Sequence, residues 1–148
     1  MYVPIDKAMR NFKDYSLVRY TIGESISYTG VVLDRRSRDA LLAAMRKHIP
    51  DGWRVIAHHM TINMGPAKRS ADVGKQITLT VIGWAADERT VAVKVGGYAS
   101  ANAHAHITVA VNAAAGAKPK DSNLHSEWKP MPSPVRLTGV VEEVPQGH

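Results

Sequence analysis

The chain has 148 residues, of which 45% are hydrophobic and 22% charged, and it contains no cysteine. The length and composition are typical of one globular domain, and the lack of cysteine excludes disulfides and thiolate metal sites. The formal net charge of +6 is explained equally well by solubility or by a partner that carries a few phosphates. No apolar run approaches the ~20 residues of a membrane-spanning helix and the N-terminus lacks a signal-peptide core, so we expect a cytoplasmic protein without a membrane partner.

The first half of the chain combines strand patterns with one helical pattern. A short helix is possible over Asp6–Tyr15, and β-branched residues predict a strand over Ile26–Leu33. Ser37 is positioned to cap a helix, because apolar residues with helical spacing follow it: Leu41, Leu42, Met45 and Ile49. Two further strands are predicted, over Trp53–Met64 and Lys75–Trp84.

The second half of the chain is predicted to be almost entirely β. Strands are expected over Thr90–Val95, His104–Val111 and Val135–Val144. Between the last two lies Asn112–Pro134, a long irregular segment, and such segments are often functional. We therefore predict a single α+β domain over residues 1–148 with few helices.

Two portions of the chain resemble each other. Each has a strand, a connector, a strand that contains His-x-Thr, a loop and a final strand, over about residues 26–84 and 90–144. The two tripeptides are His59-Met60-Thr61 and His106-Ile107-Thr108, and the second follows the first by 47 residues. One such tripeptide is common by chance, whereas two in matched strand frameworks predict a pair of related lobes.

Side chains on a strand alternate between its two faces, which places the polar residues of each motif together. His59, Thr61 and Asn63 are expected on one face of the first strand, and His58 on the other. In the second strand the shared face holds His104, His106 and Thr108. If the lobes are related by a pseudo-two-fold axis, both polar faces line one central groove.

A phosphodiester suits such a groove. Threonine hydroxyls can donate hydrogen bonds to its non-bridging oxygens. Histidine ordinarily titrates near pH 6.5, so one imidazole can take a proton from the attacking oxygen while the other gives one to the leaving oxygen. This scheme requires neither a metal nor a cofactor.

The paired motifs resemble those of the two-histidine (2H) phosphoesterase superfamily. The later stretch Lys118-Pro119-Lys120-Asp121-Ser122-Asn123 is similar to the one that follows the second motif in the cyclic phosphodiesterase domain of fungal and plant tRNA ligases. The resemblance covers most of the chain, and it implies a bilobal fold of two pseudo-symmetric antiparallel β lobes around a groove. The second half lacks a helix as long as that of the first half, which is a departure from two equal lobes.

The resemblance also implies roles for individual residues. His59 and His106 would be the acid–base pair, with His106 favoured as the base, and Thr61 and Thr108 would hold the phosphate. Further substrate contacts are predicted from the first lobe, the second motif and the long loop: Tyr28, Asn63, His104, Lys118, Ser122 and Asn123.

Structural explanations exist for the same residues. The histidines could be core residues, threonine favours strands in any case, and Trp84, Tyr98 or Trp128 is as well suited to packing as to stacking on a base. His104-x-His106 also has a metal-like spacing, but no Asp, Glu or Cys lies beside it to complete a site, so no metal is predicted.

The implied reaction is hydrolysis of a 2′,3′-cyclic phosphate or a related ribose-linked phosphodiester, on an RNA end or a small nucleotide. The alternatives are a phosphodiesterase that degrades cyclic oligonucleotide or 2′-5′ oligoadenylate signals, as some viral relatives do, and a module that binds RNA or nucleotides without catalysis. No obligate protein partner is inferred.

Overall fold

The computed structural model describes residues 25–146, so the possible helix over Asp6–Tyr15 lies outside the described residues. The described chain contains one α-helix, α1 (Arg35–Met45), and seven strands: β1 (Ile26–Leu33), β2 (Arg54–Val55), β3 (His59–Met64), β4 (Gln76–Ala86), β5 (Thr90–Gly96), β6 (His106–Val111) and β7 (Lys129–Pro145). Short 3-10 turns lie at Arg46–His48, Ser70–Asp72, Ala113–Ala115 and Pro119–Leu124. Within this range no helix has the length and apolar character needed to cross a membrane.

Six strands close into an antiparallel barrel in the order β6-β3-β1-β7-β4-β5, because β5 pairs with β6 and completes the ring. The short strand β2 pairs with the end of β6, at Ala110 and Val111, after the point at which Ile107 of β6 pairs with β3. The predicted class, an α+β protein made mostly of antiparallel sheet with few helices, is confirmed.

The order of strands around the barrel is unchanged when the two halves of the sequence are exchanged. Exchanging β1 with β5, β3 with β6 and β4 with β7 reproduces the same order of neighbours around the ring. Met60 and Ile107, the middle residues of the two motifs, pair directly, and so do Leu79 and Leu137 of the last strands. Each half also exchanges its last strand, since β4 lies between β7 and β5 and β7 lies between β1 and β4.

Apolar side chains fill the interior of the barrel. The alternate side chains of each strand therefore point to the outside. The pairs Met60–Ile107 and Leu79–Leu137 are fully buried in this interior. The other fully buried side chains there include Val31, Val81, Val93 and Val109. α1 packs on β7 and contributes Leu41 and Met45 to the same core. Removing these side chains from water supplies the main driving force for closure.

The predicted helix begins earlier than expected, and Ser37 is not its cap. Asp34 directly follows β1 and accepts a hydrogen bond from the Ser37 backbone N–H at 2.8 Å through Oδ1. The Ser37 hydroxyl oxygen instead accepts a bond of 2.7 Å from the Thr138 N–H of β7. The carboxylate therefore takes the capping position, and the serine ties the helix to the barrel.

Three strand boundaries also differ from the prediction. The strand expected over Trp53–Met64 is interrupted, because Ala57 has a φ of 43°. The second-motif strand begins at His106 and not at His104. β7 begins at Lys129, within the segment expected to be irregular, which also contains two 3-10 turns.

Candidate functional site

The four motif residues lie on the outer face of the barrel, where β3 and β6 meet. Thr61 pairs with Gly30 and His59 with Val32 on β1, opposite in orientation to the interior Met60. On β6, His106 and Thr108 lie on either side of Ile107, which pairs with Met60, so their side chains point away from the interior. The neighbouring strands of the ring therefore present both motifs on one side of the sheet.

His59 is held by contacts on both ring nitrogens. Its ring stacks on Tyr28 with centroids 4.4 Å apart, and the Tyr28 hydroxyl lies 3.3 Å from Nδ1. Nε2 lies 3.1 Å from the Thr61 hydroxyl oxygen. Burial, followed by the nearby His58 and His106, lowers the pKa of His59 to about 4, so the imidazole is neutral in the free protein at neutral pH.

Tyr28, predicted as a substrate contact, lies beside the first motif. Burial, and to a lesser degree Glu142, raises the pKa of its phenol, so the hydroxyl keeps its proton. Gly30 makes room for this stack, because a Cβ there would lie 2.9 Å from the Met60 carbonyl oxygen and 3.3 Å from the His59 ring.

The prediction that His58 points away from His59 is wrong. Its Nδ1 lies 3.0 Å from Nδ1 of His59, and the two rings meet edge to face. The left-handed backbone at Ala57 breaks the strand alternation at this point. The Ala57 N–H still bonds to the Thr108 carbonyl, whereas Met60 already pairs with Ile107, so both histidines lie in a bulge.

His106 has a fixed tautomer. Its Nδ1–H donates to the His104 carbonyl oxygen at 2.8 Å, which leaves Nε2 with a free lone pair when the ring is neutral. The side chain is buried, and this burial lowers its pKa despite the opposing effect of that hydrogen bond. An imidazole in this state can accept a proton at Nε2.

Thr108 is covered by the loop that follows its own strand. Its hydroxyl lies 2.8 Å from the Ser122 hydroxyl and 3.1 Å from the Pro119 carbonyl oxygen. Ser122 is only 1% exposed. Thr108 therefore needs a small rearrangement before it can bind a phosphate oxygen, whereas Thr61 already faces His59.

The loop is fastened to the barrel by Arg89. Its Nε and Nη2 both donate to Oδ2 of Asp121, at 3.1 and 2.9 Å, and the same oxygen accepts the Lys118 N–H. The guanidinium also reaches the carbonyls of Ala115 and Gly116. These bonds keep the loop over Thr108, and the N–H and Arg89 lower the pKa of the Asp121 carboxyl.

A pocket of about 270 Å³ opens beside His106. It is lined by residues from the β5–β6 connection, from β6 and from the loop: Ala101, Asn102, Ala103, His104, His106, Ser122, Asn123, His125 and Trp128. The predicted residues His104, Ser122 and Asn123 are thus brought together with the second motif. Lys118 is exposed and does not line this pocket, although its N–H helps to hold the loop.

Asn63 does not share the face of the first motif. It pairs with Thr29, whereas Thr61 pairs with the next residue, Gly30, so a bulge at Ile62 turns the two side chains to opposite faces. Asn63 is buried, and its amide donates to the carbonyls of its own loop, at Met64 and Pro66. It lines a separate, mostly apolar cavity of about 210 Å³.

Three residues near the site were missing from the predicted set. Trp128 and His125 come from the segment expected to be irregular, where no pattern indicates which side chains turn inward. Lys94 pairs with His106 across β5 and β6, so its side chain shares the face of the motif. Strand alternation predicts that Thr90, Ala92 and Lys94 share one face, so Lys94 could have been identified from the sequence.

Among residues 25–146 no three His, Cys, Asp or Glu side chains are arranged to hold a metal ion. Comparison with models of known protein families and with curated protein sequences finds no match for this chain.

Proposed function

We propose that the protein is a phosphodiesterase that hydrolyses a 2′,3′-cyclic phosphate or a related ribose-linked phosphodiester by acid–base catalysis between two histidines. The observation that carries the proposal is the pairing of the two His-x-Thr motifs on adjacent, pseudo-symmetric strands with their polar side chains on the same outer face. Core histidines would not require this arrangement, since their interior neighbours Met60 and Ile107 already fill the barrel.

His106 is proposed as the general base. Its Nδ1–H is committed to the His104 carbonyl, so Nε2 is available to take a proton from the attacking water. The oxygen of that water forms a bond to phosphorus while the bond from phosphorus to one ribose oxygen breaks. The lowered pKa of His106 keeps the ring neutral and ready for this step near neutral pH.

His59 is proposed as the general acid, which gives the proton on Nε2 to the leaving ribose oxygen. In the free protein its pKa is about 4, so it must gain a proton as substrate binds. A phosphodiester anion near Nε2 favours the imidazolium and raises that pKa. Thr61, with its hydroxyl 3.1 Å from Nε2, is placed to donate to a phosphate oxygen at the same time.

We also propose that the barrel is a form of the bilobal 2H architecture. One lobe would comprise β3, β1 and β7, and the other β6, β5 and β4, so that each takes its third strand from the other half of the sequence. The substrate groove would then follow the junction of β3 and β6. A cytoplasmic location is part of this proposal, because nucleotides and RNA ends are abundant there.

The test is a substrate panel in the presence of EDTA. We expect opening of 2′,3′-cyclic nucleotides, and a loss of about 100-fold or more in kcat for His59→Ala and for His106→Ala. His48→Gln is the matched control, because His48 belongs to neither motif and stacks on Trp84. Full activity in both motif variants would refute the mechanism.

The same panel separates the alternatives. Turnover of cyclic oligonucleotides or 2′-5′ oligoadenylate alone would assign the protein to signal degradation. Tight binding of a nucleotide or RNA without turnover of any phosphodiester would instead identify a binding module.

A further inference from the structure

The cavity of about 210 Å³ that Asn63 lines lies at one end of the barrel interior. Thr29 alternates with the buried Val31 along β1 and pairs with Asn63 of β3, so both polar side chains face inward there. α1 begins beyond the opposite end of β1, after Leu33. The connection from β5 to β6 contains no α-helix, so within residues 25–146 no second helix fills this end of the barrel.

The floor of the cavity, formed by Thr29 and Asn63, holds an unused hydrogen-bond acceptor. Asn63 is only 5% exposed, and its amide nitrogen donates to carbonyls of its own loop. Its Oδ1 accepts no hydrogen bond from residues 25–146, yet it is not sealed in the protein, since the only sealed side-chain atom without a partner in that range is the Trp128 indole nitrogen. Because Asn63 lines the cavity and is otherwise buried, this oxygen is open toward the cavity.

The floor can accept a hydrogen bond from a ligand but cannot donate one. The hydroxyl hydrogen of Thr29 is already donated to the Gly65 carbonyl oxygen, at 2.9 Å, and the amide hydrogens of Asn63 are held by its loop. A ligand that carries an O–H or N–H group would pair with Oδ1 of Asn63, which is otherwise a buried acceptor without a partner.

The walls of the cavity are apolar and are fixed in place. The Tyr98 hydroxyl donates to the Asp72 carboxylate, and the Ser100 hydroxyl donates to the Thr61 carbonyl at 2.7 Å, which ties this wall to β3. An apolar cavity of about 150 Å³ is enough to hold benzene, so this one has room for a substituted ring. The apolar lining beside Tyr98 consists of Ile62, Ala67, Ala99, Ala101 and Val141.

The rim of the cavity is formed by Lys68 and Arg69, and the lining contains no Asp or Glu. Lys68 is exposed and forms no ion pair within residues 25–146. Of the nearby carboxylates, Asp72 pairs with Lys75 at 2.9 Å and Glu143 accepts a backbone N–H of the same loop. The lining thus carries two positive charges, which complement a negative group at the entrance.

We propose that this cavity is a second ligand site, which binds a small aromatic acid with a hydroxyl or N–H group at the end away from its carboxylate. The ring lies among the apolar side chains, the donor reaches Oδ1 of Asn63, and the carboxylate lies at Lys68 and Arg69. The site goes beyond the proposed phosphodiesterase activity and does not depend on it, because the side chains of Asn63 and the motif residue Thr61 lie on opposite faces of the sheet.

The first experiment compares three probes that differ by one group. 3-(4-Hydroxyphenyl)propionate has both polar groups, 3-phenylpropionate lacks the hydroxyl, and 4-propylphenol lacks the carboxylate. The first should shift the methyl NMR signal of Ile62, identified with Ile62→Val, and leave that of Ile82, which is exposed on β4, unchanged. In calorimetry it should bind about two- to tenfold more tightly than either of the others. An unmoved Ile62 signal up to the solubility limit of the probe, or equal affinity for all three, would overturn the proposal.

The second experiment changes the protein. Ala67→Leu fills the cavity and should weaken binding of the hydroxylated acid at least about tenfold. Lys68→Gln should weaken it about two- to fivefold and leave the affinity for 4-propylphenol unchanged, because only the acid carries a charge. Lys47→Gln is the matched control, an exposed lysine on the turn after α1 that is absent from the lining. Unchanged affinity in Ala67→Leu, or an equal loss for acid and phenol in Lys68→Gln, would contradict the assigned site.

Discussion

Acid should destabilise the folded protein through His59. Burial and the adjacent histidines lower the pKa of this imidazole to about 4 in the folded state, whereas an exposed histidine in the unfolded chain titrates near 6.5. The folded protein therefore resists a proton that the unfolded chain takes up. Replacing His59 by Gln removes the titrating group and keeps a polar side chain of similar reach.

The size of the effect follows from the gap between the two pKa values. At about 1.4 kcal/mol per pH unit, a fall from 6.5 to about 4 corresponds to about 3 kcal/mol. Above pH 6.5 neither state is protonated at this site, so it contributes no pH dependence. Between 6.5 and about 4 only the unfolded state binds the proton, so the free energy of unfolding falls, and below about 4 the loss is complete.

Urea denaturation at about pH 7 and about pH 4 measures this difference. Between the two pH values, the unmodified protein should lose about 3 kcal/mol more than His59→Gln, because the other titrating groups are common to both. His58→Gln is the informative control, since it removes one cause of the lowered pKa and should give a smaller loss. Equal pH dependence in the unmodified protein and in His59→Gln would refute the reasoning.

Two further predictions concern the groups around the motifs. Gly30→Ala should lower kcat, because its Cβ would lie 2.9 Å from the Met60 carbonyl oxygen and press on the His59 ring. The control is Gly139→Ala, whose Cβ would lie 2.6 Å from the Val32 carbonyl oxygen. Assayed well below the Tm of both variants, it should be less stable without the loss of kcat. Arg89→Ala should release the loop over Thr108, and faster hydrogen exchange at the backbone amides of residues 117–125, with the strand amides unchanged, would show it.

The features that were predictable from sequence are those fixed by local patterns. β1 has the predicted bounds, Ile26–Leu33, because its β-branched run ends directly at Asp34. The internal repeat is reflected in the strand order, since the two motif strands are neighbours and Met60 pairs with Ile107. Strict alternation was sufficient to predict that His106 and Thr108 share a face, because the irregularity of β6 comes only after Thr108, at Val109.

The features that were not predictable depend on single backbone irregularities or on long-range contacts. Nothing in the sequence marks Ala57 as left-handed, yet that residue brings His58 against His59. A bulge at Ile62 likewise turns Asn63 to the other face. The exchange of the last strands is a pairing between distant segments. A repeat in the sequence does not predict it, because the same repeat is equally compatible with two lobes that keep their own strands.

The two motifs occupy equivalent positions but have different neighbours, and this asymmetry supports different roles for their histidines. His106 faces a backbone carbonyl, which can only accept, so its Nδ1 must carry hydrogen and its Nε2 is the site of proton uptake. Nδ1 of His59 faces the hydroxyl of Tyr28 and the imidazole of His58, each of which can donate or accept. His59 can therefore gain or lose a proton while a neighbour turns to match. A general acid that is neutral in the free protein needs this adaptability, whereas a base needs a fixed lone pair, so the contacts favour His106 as the base and His59 as the acid.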